Sequence, residues 1–274
     1  MQNLFFILHK FGFYWLAFFG IIIVRYFLIA GGAYWFFYSV MGKPFVKRRL
    51  HLKPIVWKSI RQDIELSVLS AVFFGLCAAF IMSAYDSGVT LLYTSVNEYG
   101  LWYLAVSFVA VLIIQDAYFY FIHRGFHHPL FFKWLHYGHH RSGDPTPWTS
   151  FAFDLPEAVI QGLFFVGIVF LIPLHFITLI AVLMTMTVWA VLTHVGFELF
   201  TSRFWFFPQW LGKCFIGSTH HAIHHHKYRV HYGLYFTFWD KLLGTHDPSY
   251  EGLSNKKIAN HYVSRGAGNS EQGD

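Results

Sequence analysis

The chain has 274 residues, of which 55% are hydrophobic, 22% aromatic and only 12% charged, about half the charged share of an ordinary soluble domain. A soluble globule is excluded for want of polar surface, and the net charge of +6 does not mark a nucleic-acid binder, because the basic residues flank apolar runs as membrane topology places them. A hydrocarbon core of about 30 Å needs roughly 20 apolar residues per span, so the predicted fold is all-α, a polytopic membrane bundle of about four to five helices with a cytoplasmic histidine-rich metal-binding cap.

In chain order, the first span falls within residues 11–40 and is interrupted by Arg25, which either snorkels to an interface or pairs inside the bundle. It lacks a basic leader and a small-residue cleavage site, and is expected to be retained. Residues 42–63 hold Lys43, Lys47, Arg48, Arg49, Lys53, Lys58 and Arg61, a cytoplasmic loop by the positive-inside rule. A second span over 64–84 leads to a loop with Asp86 and Glu98 but no Lys or Arg on the opposite face. A third, over 101–122, returns to deliver His123 at the membrane surface. Pro145 and Pro147 preclude a long helix through the second half of the polar stretch 126–154.

Residues 155–194 are apolar again and broken by Pro173, which predicts a hairpin that crosses or re-enters. The aromatic stretch 197–215, with Arg203 and Lys213, suits a segment lying among headgroups. The tail past Ser264 reads as disordered. Three regions result: N-terminal helices and basic loop over 1–100, a catalytic region over 101–250, and a polar tail over 251–274. Cys77 and Cys214 are too few and too separated for a disulfide framework and read as packing residues.

The unusual count is histidine: 18, against 14 acidic residues. Three clusters contain the pattern, His123-x3-His127-His128, His136-x2-His139-His140 and His220-His221-x2-His224-His225-His226, and with His194 they fall on one predicted face of the membrane. Helical spacing of three and four puts such rings side by side. One tetrahedral ion takes about four protein ligands at most, so this supply predicts two metal ions. His9, His51, His175 and His261 are isolated and read as structural or solvated. No zinc-protease, nucleophile-elbow, phosphate-loop or dinucleotide motif is present, and a haem is disfavoured because the clusters lie at span ends.

These residues resemble the fatty acid hydroxylase and sterol desaturase superfamily, whose signature is an H-x3-H followed by two H-x2-HH groups. Asp116 to Arg124 (DAYFYFIHR), Pro145 to Trp148 (PTPW) and Tyr232 to Thr245 (YGLYFTFWDKLLGT) extend the resemblance over roughly residues 101–246. It implies a diiron centre, with zinc as an alternative occupant of purified protein, O2 as co-substrate, and metal ligands among His123, His127, His128, His136, His139, His140, His194, His220, His221, His224 and His225. His127 and His128 compete for one place, and His220 and His221 for another. Glu198, one helical turn past His194, is a weaker ligand candidate or a group behind the ligands. His231 stands where family members commonly have Asn.

Asp116 lies two helical turns before His123 and is expected to orient a ligand imidazole, with Asp240 in a similar role or in a turn. Two cysteines cannot hold a four-thiolate cluster, so electrons are expected from a partner: a b-type cytochrome, a ferredoxin or a reductase. The expected reaction is hydroxylation or desaturation of a lipid, sterol or fatty acyl, at the cytoplasmic face of a bacterial inner membrane or the endoplasmic reticulum. The competing reading is a membrane zinc-binding hydrolase or metal transporter using the same histidines.

Overall fold

A computed structural model describes residues 2–41, 49–50, 54–199, 211–248 and Tyr250. Four of its helical segments are long and apolar enough to cross a membrane: Phe5–Val40, Trp57–Asp86, Leu101–Phe126 and Phe176–Thr193. A span works in hydrocarbon only if every backbone polar group is satisfied internally, which the α-helix achieves alone.

The first span begins as α1 (Gln2–Tyr26) and continues through wider π-helical turns at Phe27–Gly31 and Trp35–Val40. It packs antiparallel on α2 (Trp57–Asp86), where Gly75 lets the Trp15 and Phe19 region approach closely. Lys10 and Tyr14 both bond the Asp86 carboxylate at the end distant from the histidines. α3 (Leu101–Phe126) runs back toward the histidine end. The shorter α6 (Leu155–Leu171) and α7 (Phe176–Thr193) form the hairpin expected around Pro173. Between them Leu174 and His175 pair in parallel with Leu92 and Tyr93, closing the far end of the bundle.

His175 is structural, as its isolation implied: Nε2 donates to the Thr94 carbonyl and Nδ1 accepts from the Ile177 N–H at the start of α7. The core at this end gathers Ile81, Val111, Phe164, Ile168, Val169, Leu174 and Val182 from four helices and the short strand between α6 and α7. Cys77 is a free, half-buried thiol against Gly162, where a Cβ would collide with its sulfur, so it packs the α2–α6 crossing.

At the other end lies a cap of short elements, α4 (Pro129–Leu135), α5 (Tyr137–His140), α8 (Ser218–Lys227) and α9 (Phe238–Leu242). Most of the basic loop, Arg203, His51 and His261, and the tail beyond Ser264 lie outside the described residues.

Candidate metal centre

Four separate elements bring histidines to one place. The last turns of α3 supply His123 and His127, and α5 with the residue before it supplies His136, His139 and His140. His194 caps the end of α7, while α8 presents His221, His224 and His225 on one face. The rings sort into two groups, His123, His127, His136, His140 and His224 in one and His139, His194, His221 and His225 in the other; within each, the candidate nitrogens all lie within 4.8 Å of one another. Neighbouring histidines thus divide between groups: His139 from His140, and His224 from His225.

The separations fit shared ions. Two nitrogens bound to one metal at about 2.0–2.1 Å stand roughly 2.9–3.4 Å apart at octahedral or tetrahedral angles. Nε2 of His123 is 3.0 Å from Nε2 of His136, and His140 and His224 are likewise 3.0 Å apart. In the second group the spacings are 3.4 Å for His139–His194, 2.8 Å for His194–His221 and 3.1 Å for His221–His225.

The second ring nitrogen shows that these are not ordinary hydrogen bonds. His136 Nδ1 is hydrogen-bonded to Glu157 Oε2 at 2.7 Å; Nδ1 of His123 donates to the Tyr232 carbonyl, that of His139 to Ala152, that of His194 to Ala190 and that of His224 to Val230. Each such ring, when neutral, carries its proton on Nδ1 and a bare lone pair on Nε2. His139 faces His194 lone pair to lone pair, and in the other group His123 and His224 both turn a lone pair inward. Only a cation between them makes that contact favourable, and an outer acceptor on Nδ1 is the usual companion of a metal-bound imidazole. Burial pushes His136, His139, His140, His221, His224 and His225 well below the ordinary histidine range and holds His194 at about 4, so all are in the neutral, ligating form.

A third trio, His220, His231 and His246, is also close-packed, but its proton arrangement differs. His220 Nδ1 accepts from the Gly217 N–H and His231 Nε2 accepts from the Asp247 N–H. The nitrogen left over on each ring is therefore the protonated one, which cannot ligate. His220 stacks on Tyr250 with ring centroids 3.6 Å apart and lies outside the group that contains His221. His128 is excluded by position: it is exposed and caps α4, its Nδ1 accepting from the Leu130 N–H.

Asp116 and Glu198 are placed differently from expectation, and Asp240 holds a turn, one of its two expected roles. Asp116 does not touch a ligand ring; it accepts from the backbone N–H groups of Tyr235 and Phe236. Asp240 accepts from those of Tyr232 and Gly233 and from the Thr245 hydroxyl. Together they fix the loop whose Tyr232 carbonyl orients His123, so each influences the centre through the backbone. Glu198 is not one helical turn past His194, because the helix ends there and the chain turns at Gly196 with φ 72°. It is buried and outside both groups; burial first, and the Glu198 carboxylate second, push the Tyr250 phenol above its ordinary range.

Three groups behind the ligands went unnoticed in the sequence. Glu157, fully buried on the first turn of α6, orients His136; an acidic residue opening an apolar run is costly unless partnered and was the available signal. Asp154 accepts from the Gly138 N–H so closely that a Cβ on Gly138 would overlap it. Asp63 on α2 holds Ser142 and Thr149. The last two offered no comparable mark.

A cavity of about 570 Å³ runs from the bundle interior to the metal groups. Its wall is largely Phe, Leu, Ile and Met side chains, and it touches His123 and His136 of one group and His139, His194 and His221 of the other. Both groups therefore face a single apolar chamber, of the size that holds a small organic ligand.

A family model described as Fatty acid hydroxylase matches residues 108–245. The chain is 31% identical over 234 residues to human lathosterol oxidase, covering 84% of this chain and 73% of that protein. It is 30% identical over 214 residues to a Delta(7)-sterol 5(6)-desaturase of Gibberella zeae, 75% of this chain and 64% of that one, so it spans just under two thirds of the fungal relative. No solved structure matches it.

Proposed function

The chain belongs to the fatty acid hydroxylase family, and we propose that it is a membrane-bound dinuclear iron oxidase that hydroxylates or desaturates a lipid with dioxygen and electrons from a separate carrier. Membership makes it an oxidoreductase with lipids as its substrate class. The observation that carries the finer reading is the pair of lone-pair-facing imidazole groups opening on one apolar chamber. Nine imidazoles without thiolate suit divalent first-row ions, iron among them. When bound, the ions supply the redox power that attack on an unactivated C–H bond requires and that no side chain has.

The chain's own residues do the rest. His123, His127, His136, His140 and His224 would hold one ion, and His139, His194, His221 and His225 the other. Glu157 orients His136, the carbonyls of Tyr232, Ala152, Ala190 and Val230 fix the tautomers of their own ligands, and the aromatic wall excludes water and aligns hydrocarbon with the histidines. The relatives are named for sterols, and an apolar chamber of this kind suits a sterol or a fatty acyl chain. A transporter is disfavoured because the ligands collect at one end of the spans instead of along them. The positive-inside rule applied to Arg49, Lys58 and Arg61 puts this end on the cytoplasmic side, where a soluble or membrane-bound donor can reach it.

Anaerobically purified protein is expected to carry iron in both groups and, given a donor and O2, to change a lipid by one oxygen atom or two hydrogens. Zinc with lipid-ester hydrolysis and no need for O2 would replace this reading with the hydrolase. Glu157→Gln keeps shape but replaces the carboxyl that orients His136; turnover should drop 10- to 100-fold, the usual cost of losing such a partner. Steady-state assays of the two forms measure it.

A further inference from the structure

Arg25 is a cation within the first span, and it is only partly exposed. Among the described residues it forms no ion pair. Its Nε is buried with no hydrogen-bond partner among the described residues, and the guanidinium carbon is 6.0 Å from the centre of the Phe151 ring. An intramembrane charge without a counter-charge marks a functional site.

Its location says which. Arg25 lines the chamber that reaches the histidines, and also a second, more open groove of about 680 Å³ bounded by Leu16, Gly20, Val24 and Leu28 of α1 and Met184 of α7. Ile21, Arg25 and Met184 belong to both, so Arg25 stands where the outer groove meets the inner chamber. It lies 15 residues past Lys10, about 22 Å along the helix. Lys10 is tied to Asp86 at the far end of the bundle, so Arg25 lies within the span on the side nearer the histidines. Gln161, whose amide nitrogen is also buried without a partner, lines the same chamber.

We propose that Arg25 is the polar anchor of the lipid site: it binds an anionic oxygen group of a lipid that enters sideways from the bilayer between α1 and α7, while the hydrocarbon extends to the histidines. The missing acceptor beside Arg25 is then supplied by the substrate. A carboxylate fits best, because a planar guanidinium presents two parallel N–H donors to its two oxygens. The neutral hydroxyl of a sterol would leave the charge uncompensated. This inference rests on the lipid-oxidase reading for its occupant but not for its test.

The test is equilibrium binding to the full chain in detergent, without O2 or donor, so that it reads the anchor independently of any oxidation. The probes are myristate, myristyl phosphate, myristyl alcohol and a Δ7-sterol. Wild type should prefer the two anionic probes to the alcohol and the sterol by at least tenfold, with myristate above the phosphate. Arg25→Met should weaken myristate binding at least a hundredfold and leave the alcohol unchanged, with metal content as the check on folding. Arg25→Lys, which keeps the charge but not the paired donors, should weaken myristate by about tenfold. Equal binding of myristate and alcohol by wild type, or undiminished myristate binding by Arg25→Lys and Arg25→Met, overturns the proposal; so does tightest binding of the sterol, which would make the hydroxyl the ligand.

Discussion

Replacing His225 by alanine is expected to remove one metal equivalent per chain and to reduce lipid oxidation by more than about 100-fold, beyond what losing an outer hydrogen-bond partner costs. The argument is a count of ligands. His225 belongs to the group with His139, His194 and His221, so the variant leaves three imidazoles for an ion that had four. His224, the next residue back along α8, belongs to the other group, with His123, His127, His136 and His140. His224→Ala therefore leaves four ligands and should retain its ion at saturating metal while still losing turnover. Two adjacent substitutions on one helix thus separate: one lowers metal stoichiometry and the other lowers mainly activity. Metal analysis alongside turnover in both variants decides it; equal metal loss in the two would mean that the rings are not partitioned as the geometry has them.

That partition was not legible in the sequence, although most of the inventory was. Spacing of three and four residues put His136, His139 and His140 on one face and likewise His221, His224 and His225, but a periodicity argument treats each cluster as a unit. The fold instead splits both clusters between two groups, because neighbours on a helix point about 100° apart while residues four apart share a face, so His139 parts from His140 and His224 from His225. His128 and His220 show the same limit. Each sits in a histidine-dense run, yet one is spent capping α4 and the other accepts a backbone N–H ahead of α8, local bonds that spacing cannot foresee. Asp116 was correctly suspected as an intramembrane acid, but its partner is a loop more than a hundred residues later, not the histidine on its own helix face. The spans themselves read well, since apolar length is a direct consequence of bilayer thickness; the first overran its predicted start because Gln2 to Lys10 is helical too.

The other large effect concerns the chamber. Ala78 on α2 lines it and belongs to neither histidine group, one helical turn past Phe74, which lines it too, and a tryptophan there would put an indole into a space of about 570 Å³. Because the bulk enters a void and not a packed core, the overpacking penalty of about 1–3 kcal/mol should be avoided, and metal content should match wild type. A rigid, wide lipid of the sterol class can then no longer bring its reacting carbon to the histidines, and turnover should drop on the order of 10²-fold, as misplacement by an ångström or so does. A single unbranched acyl chain, being narrower, should suffer much less. Comparing the two substrates in Ala78→Trp and wild type makes the chamber, and not the metal groups, the element that chooses the lipid; equal retention of both substrates would place the reacting lipid elsewhere.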